Sequence, residues 1–139
     1  RYPGILAERE RNARYLNERL SQCEAVITQP TGGEGTRPTY HLYLLQIDPE
    51  KAGGDIRALR KKLDARSITT IPHFAPLYKF EIVRQLGYDQ QAAAASCPVA
   101  EHAFLHTFTH LPIYGLSREQ LDIMADTIIL SIEEMQRGE

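Results

Sequence analysis

A short segment at positions 72–78 carries the side chains best suited to chemistry, in the order Pro-His-Phe-Ala-Pro-Leu-Tyr. Its two prolines restrict the backbone and disfavour a helix. His73 offers ring nitrogens, Phe74 an apolar face and Tyr78 a phenol, and this combination suits a polar, ring-shaped ligand. The alternative is a packed loop in which the polar ends of the side chains form hydrogen bonds within the protein. In either case the aromatic and apolar content predicts that something covers the segment.

Three histidines at a spacing of four form a second candidate group. If residues 98–107 form a helix, His102 and His106 lie on one face of it, as in metal-binding pairs. The segment lacks the Glu of an H-E-x-x-H zinc site, and His110 is predicted to lie beyond the end of the helix. We therefore predict no metal site. A metal-dependent hydrolase that uses His102 and His106 stays as a distant alternative.

Nucleophiles and cofactor-binding motifs give weaker signals. The sequence has no G-x-S-x-G elbow and no recognisable Cys/His signature. The glycines at 32–35 precede a proline and a predicted strand, whereas a phosphate-binding loop leads into a helix. The four lysines, which are Lys51, Lys61, Lys62 and Lys79, lie in charged or polar stretches, unlike a Schiff-base lysine. We predict no catalytic, cofactor-binding or metal-binding residue, so this chain alone is not a complete catalyst.

The composition is that of one soluble domain. The chain has 139 residues, of which 42% are hydrophobic and 24% charged, which is enough to bury a core without a disulfide or a metal. The net charge of −2 and the lack of a long apolar run predict no nucleic-acid partner, no membrane partner and a cytoplasmic location. Cys23 and Cys97 are predicted to be reduced thiols. Because residue 1 is Arg instead of Met, we expect a processed or truncated product.

Local patterns predict the elements that must position these residues. Residues 3–22 form an amphipathic helix with a charged outer face, and 39–47 form a strand with two apolar faces, as in a sheet interior. Asp55 caps a helix whose apolar residues recur at helical spacing. The other predicted elements are strands at 25–28 and 67–71, a short helix at 79–86, a connector at 90–96, a helix at 98–107 and a short extended piece that Leu111-Pro112 ends.

The last helix has the clearest local signature. Ser117 and Gln120 have the spacing of a capping box. Apolar residues then follow at intervals of three and four and form one continuous stripe: Leu121, Met124, Ile128, Ile132 and Met135. The order of elements predicts an α/β (α+β) fold, a two-layer sandwich in which a small, mostly antiparallel sheet has helices packed on one face.

A series of short motifs runs in order along nearly the whole chain. It consists of Arg11, Tyr15 and Leu20; His41-Leu42-Tyr43; Ile56-Arg57 with Leu59 and Leu63; Ile68 and the run from Ile71 to Tyr78; Cys97-Pro98-Val99-Ala100-Glu101; Leu111-Pro112; and Leu116-Ser117 with Gln120. This series resembles the C-terminal domain of the DegT/DnrJ/EryC1/StrS family of sugar aminotransferases, which depend on pyridoxal 5'-phosphate and have the aspartate-aminotransferase fold. The resemblance implies an interdomain helix at 1–22 and, at 23–139, the small C-terminal domain of a fold type I enzyme.

The resemblance implies that this chain is one part of an enzyme. In the family, the Schiff-base lysine and the other residues that bind pyridoxal 5'-phosphate belong to a large N-terminal domain, which is missing from this sequence. The resemblance implies that His73 contacts a sugar substrate, with Phe74 and Tyr78 as weaker candidates, and that His41-Leu42-Tyr43 is sheet core. The intact protein would act as a homodimer and transfer an amino group from glutamate to a keto-sugar, either nucleotide-linked or part of an antibiotic. This chain alone is predicted to be inactive.

A freestanding module descended from this domain is the main alternative. It would bind a small sugar, or regulate a partner protein, through the surface that the missing domain leaves exposed. Binding of a sugar nucleotide by this chain alone would distinguish it from an enzyme fragment.

Overall fold

The centre of the protein is a three-stranded antiparallel sheet, as seen in a computed structural model that describes residues 1–139. The strands are β1 (Val26–Ile27), β2 (Tyr43–Ile47) and β3 (Phe108–Leu111), with β2 between the other two. Alternate side chains of β2 are buried, because successive residues of a strand point to opposite faces of the sheet. The prediction of an interior strand is confirmed, with one face in the core and the other half-buried.

Three long helices pack against the buried face of the sheet. They are α1 (Tyr2–Leu20), α3 (Ile56–Ala65) and α7 (Arg118–Arg137). Buried side chains of these helices and of the sheet belong to one core of 23 residues, so the predicted two-layer sandwich is confirmed. Four short helices complete the fold, together with a 3₁₀ turn at Leu77–Lys79 and a π-helical turn at Ala103–Thr107: α2 (Pro49–Ala52), α4 (Glu81–Gln85), α5 (Gln90–Ser96) and α6 (Pro98–His102).

The capping box of α7 forms as predicted. The backbone N–H of Gln120 donates to the hydroxyl of Ser117 at 3.2 Å, and the backbone N–H of Ser117 donates to the Gln120 side chain at 2.8 Å. The stripe of the helix is buried along its whole length, from Leu121 to Met135. Because the cap and the stripe are both local patterns, the sequence is enough to predict this helix.

Polar side chains join α1 to α7 at the edge of the core. Arg19 donates to Asp122 and to Asp126, and it also donates to the Tyr15 hydroxyl at 2.8 Å. The Arg118 guanidinium lies 3.2 Å from the centre of the Tyr15 ring. The predicted first helix is confirmed, and these contacts attach part of its charged face to α7.

The third predicted strand, at 67–71, is wrong. Ser67 has a left-handed backbone with φ of 61°, and the N–H of Ile68 donates to the Leu63 carbonyl at 2.9 Å, so this stretch closes the end of α3. Only Ile71 pairs with the sheet, through an isolated bridge to His110. The strand that pairs with β2 is β3, which was predicted only as a short extended piece.

Three further predictions need correction. The strand predicted at 39–47 begins only at Tyr43, because Tyr40 adopts a left-handed backbone with φ of 43°. Residues 90–96 form helix α5 instead of a connector, and the Asp89 side chain caps it by accepting two backbone N–H groups. The helix predicted at 79–86 is the shorter α4, preceded by the 3₁₀ turn.

Asp55 links the start of α3 to the segment that follows α6. Its side chain accepts the backbone N–H groups of Arg57 at 3.0 Å and Ala58 at 3.1 Å, as predicted for an N-cap. The other carboxylate oxygen accepts Arg57 Nε at 2.8 Å and lies 3.3 Å from His106 Nδ1. Partial burial alone would raise the pKa of Asp55, but the hydrogen bonds from Arg57, Ala58 and His106 outweigh it and lower this pKa to about 2.

Replacing Asp55 with Asn is expected to destabilise the protein by about 1 kcal/mol at pH 7, because Asn keeps the cap but loses the charge. The folded-state pKa is lowered from about 3.9 in the unfolded chain, so the contribution of the ionised Asp55 is present above that value and lost as the pH falls to about 2. Urea unfolding of both proteins across this window should show the difference in unfolding free energy shrinking.

The matched control is Asp89→Asn, because the Asp89 side chain caps α5 through two backbone bonds and, unlike Asp55, pairs with no arginine. Its cost is expected to be smaller, because the Asn side chain keeps the cap and no ion pair is lost. If the Asp55→Asn difference stays constant with pH, the charge of Asp55 does not stabilise the folded state.

No helix of the structure combines the length and the apolar character needed to cross a membrane. Both cysteines, Cys23 and Cys97, are free and half-buried.

Candidate functional site

A groove of about 610 Å³ lies beside the start of β2 and the end of β3. It is formed where four parts of the chain meet: the residues just after β1, the segment that leads into β2, the loop that begins at the Ile71 bridge, and β3 itself. The lining residues are Gln29, 38–42, 71–74 and His110.

Hydrogen bonds fix the wall of the groove next to β2. The Gln29 side chain accepts the backbone N–H of Leu44 at 3.0 Å, and its carbonyl accepts the Asn17 side chain at 2.7 Å. The Tyr40 hydroxyl donates to the Pro30 carbonyl at 3.2 Å. These bonds hold the left-handed turn at Tyr40 in place, so this wall is set before any ligand binds.

The opposite wall is pinned to the sheet at Ile71. The N–H of Ile71 donates to the His110 carbonyl at 2.8 Å, and the N–H of His110 donates to the Ile71 carbonyl at 3.0 Å. Thr109 Oγ1 also donates to the Ile71 carbonyl, at 3.1 Å. Pro72 then restricts the backbone. His73 therefore lies only two residues after Ile71, whose backbone these bonds hold in place.

His73 and His110 meet through their ring nitrogens. His73 Nδ1 lies 2.7 Å from His110 Nε2, which is a hydrogen-bond distance, and the ring of Phe108 packs 5.4 Å from that of His73. Burial, followed by the proximity of His73 and His41, lowers the pKa of His110. The groove therefore presents a hydrogen-bonded imidazole pair, with the exposed ring of His41 nearby.

Phe74 and Tyr78 occupy different environments. Phe74 lines the groove with 83% of its surface exposed, and Leu77 is 74% exposed, so this chain leaves these two apolar side chains uncovered. Tyr78 lies outside the groove and donates its hydroxyl to Glu101 at 2.6 Å. This hydrogen bond to Glu101, aided by burial, raises the pKa of Tyr78 to about 12. Tyr78 thus ties the end of the loop to α6.

The structure adds two histidines to the groove that the sequence did not place there. His110 was considered only with His102 and His106, and His41 only as part of the sheet core. His41 is exposed at the groove instead. The register of β3 brings His110 there, and no local pattern predicts that register.

The remaining two histidines lie away from the groove. The rings of His102 and His106 are 5.3 Å apart, and His106 faces Asp55. No three side chains among His, Cys, Asp and Glu are grouped closely enough to hold a metal ion.

None of the four lysines lines the groove. Lys62 forms an ion pair with Glu134 at 3.1 Å, and Lys79 forms one with Glu101 at 2.9 Å. Lys51 and Lys61 are exposed on helices. The groove is therefore lined without a lysine amine.

The model of the DegT/DnrJ/EryC1/StrS aminotransferase family matches residues 1–129. The chain belongs to this family. The resemblance inferred from the ordered motifs is thus confirmed.

Solved structures with the same fold include two aminotransferases. Spr1654 from Streptococcus pneumoniae, named as a sugar aminotransferase, matches in its apo form with a TM-score of 0.80, 21% identity and 99% of this chain, and it has also been solved in PMP and PLP forms. The aminotransferase TlmJ from Streptoalloteichus hindustanus matches with a TM-score of 0.80, 20% identity and 98% of this chain. The matched region is 33% of Spr1654 and 34% of TlmJ, so this chain spans about a third of their length.

Proposed function

We propose that this chain is the small C-terminal domain of a sugar aminotransferase that depends on pyridoxal 5'-phosphate. The observation that carries the proposal is the family match over 1–129, together with the likeness to about a third of solved aminotransferases. Residues 1–22 would be the interdomain helix and 23–139 the domain itself. The intact enzyme would be a cytoplasmic homodimer.

The cofactor would be held by a large domain outside this chain. The placement of the four lysines, two in ion pairs and two exposed, supports this part of the proposal. When bound, pyridoxal 5'-phosphate supplies the electron sink for amino-group transfer. The task of this chain would be to bind and orient the substrate and to exclude water from it.

The substrate would be a keto-sugar, nucleotide-linked, with glutamate as the amino donor. His73 would donate a hydrogen bond to an oxygen of the sugar, and Phe74 would place its apolar face against the sugar ring. Tyr78 would act from a distance, because its hydroxyl is bonded to Glu101 and fixes the end of the loop. The large exposed fractions of Phe74 and Leu77 are what a surface buried by another domain would show in isolation.

The intact protein is expected to convert glutamate and a nucleotide-linked keto-sugar into 2-oxoglutarate and the amino-sugar. Reduction with borohydride should leave a pyridoxyl label on one lysine outside the 139 residues, as located by peptide mass mapping. The 139-residue chain alone should show neither activity nor a label. A specific label on any of its four lysines would overturn the division of labour proposed here.

A freestanding sugar-binding module is the second candidate, and it is favoured by the groove of about 610 Å³ that His73, Phe74 and His110 line. Calorimetric titration of the 139-residue chain with a sugar nucleotide would detect such binding. Specific binding, combined with no transamination by the intact protein, would favour the module over the enzyme.

A further inference from the structure

We propose that His110 is a positioning residue: its Nε2–H donates to His73 Nδ1 and thereby fixes His73 as a hydrogen-bond donor, through Nε2–H, to a ligand oxygen in the groove. The ligand part of this inference rests on the proposed function, whereas the proton arrangement does not. Two observations carry it: the distance of 2.7 Å between the two ring nitrogens, and the environment of the other nitrogen of His110.

The backbone of His110 is held from both sides. On one side β3 pairs with β2, where His110 lies opposite Leu44, and on the other the two bonds of the Ile71 bridge hold it. The ring of His110 is half-buried and lies against the rings of His73 and Phe108. The ring of His73 is exposed and belongs to a loop, so the bond between the two rings orients His73 more than it orients His110.

The buried nitrogen decides which ring donates. Nδ1 of His110 is buried and has no hydrogen-bond partner. An unpartnered N–H and an unpartnered ring acceptor both lose their bonds to water on burial, but orphaned buried N–H groups are the rarer of the two in proteins. The proton of neutral His110 is therefore expected on Nε2, because a neutral imidazole carries one N–H.

The tautomer of His73 follows from that of His110. If Nε2 of His110 carries the proton, His73 Nδ1 must accept it, because two N–H groups cannot face each other at 2.7 Å. The single proton of neutral His73 then lies on its Nε2. His73 can donate through that nitrogen but cannot accept, so it would bind a hydroxyl, carbonyl or phosphoryl oxygen and would not act as a base.

The other groups near the pair do not supply an alternative partner. His41 faces His110 closely enough to affect it electrostatically, but it forms no hydrogen bond to it. Phe108 contacts both rings only through its apolar surface. Among the side chains of this chain, the hydrogen-bond partner of each of the two rings is therefore the other ring.

The first test is a measurement of the proton arrangement by NMR. With ¹⁵N-labelled histidine in the 139-residue chain at pH 8, we expect a scalar coupling across the hydrogen bond between His110 Nε2 and His73 Nδ1, with the proton covalently attached to His110. His73 should show a single tautomer. The absence of the coupling, or a proton attached to His73 Nδ1, would overturn the proposal whatever the protein's activity.

The second test is kinetic and uses the intact protein. His110→Leu should raise KM for the keto-sugar about tenfold, as expected for the loss of one oriented hydrogen bond, with kcat changed by less than about twofold. His110→Gln should recover most of the loss, because its amide N–H can donate from nearly the position of Nε2. His102→Gln is the control, since His102 lies outside the groove.

Two results would overturn the positioning role: equal impairment by the Leu and Gln variants, or no effect of either. If the intact protein has no aminotransferase activity, the proposed function fails, and the NMR measurement still decides the proton arrangement.

Discussion

Replacing Ile128 with Ala is expected to lower the free energy of unfolding by about 4 kcal/mol. Ile128 lies in the middle of the apolar stripe of α7 and is completely buried. The substitution removes three carbon atoms and leaves a cavity that the packed neighbours fill only in part, so the loss of transfer free energy and the cost of the cavity add. A loss of this size is a large fraction of the stability of a small domain.

Ile123→Ala is the matched control, because Ile123 lies on the same helix and is 53% exposed. Its loss should be less than about 1 kcal/mol, since little surface is removed from the core. Urea unfolding followed by far-UV circular dichroism measures both variants against the wild type. Similar losses for the two variants would mean that the stripe of α7 is not the centre of the core.

Replacing Gly53 with Ala is expected to cost about 3 kcal/mol. Gly53 ends α2 with a left-handed backbone, φ 71°, which an L-residue rarely adopts. A Cβ at this position would lie 2.7 Å from the Met135 carbonyl oxygen and 2.8 Å from Gln136 Cα, both of which belong to the backbone of α7. Relief of this contact requires α2 and α7 to move apart.

Gly87→Ala separates the cost of the left-handed backbone from the cost of the close contact with α7. Gly87 also has a left-handed backbone, with φ 84°, but a Cβ there would meet no atom within 4 Å. Its expected cost is therefore only that of the backbone conformation, about 1 kcal/mol. Thermal and urea unfolding of both variants gives the comparison. Equal losses would show that the close approach of α7 to Gly53 is not a constraint on the fold.

The elements that were predicted well are those whose signals are local. The capping box of Ser117 and Gln120 spans four consecutive residues. The Asp55 cap likewise involves only Asp55 and the three residues that follow it. The stripe of α7 and the apolar run of β2 also extend over a few residues, so neighbours along the chain suffice to predict them.

The pairing of the strands could not be predicted from local sequence patterns. The β-branched stretch at 67–71 has the composition of a strand, but its first residues bond to the end of α3. β3 takes the position beside β2, through pairs such as Leu45 with Thr109. Which of two stretches pairs with a strand depends on the whole fold, because the pairing joins residues far apart in sequence.

In the candidate site, too, the sequence predicts the local segment but not its distant contacts. The loop at 72–78 was identified from its own residue types, because two prolines, a histidine and two aromatic residues are visible in the sequence. The partners were not: Glu101 reaches Tyr78 across 23 positions, and His110 reaches His73 across 37. The sequence by itself thus determined the long helices, the class of fold, the family and the loop that carries the candidate site. Only the tertiary structure decided which strand completes the sheet and which second histidine contacts His73, because both depend on a strand register set by packing across the core.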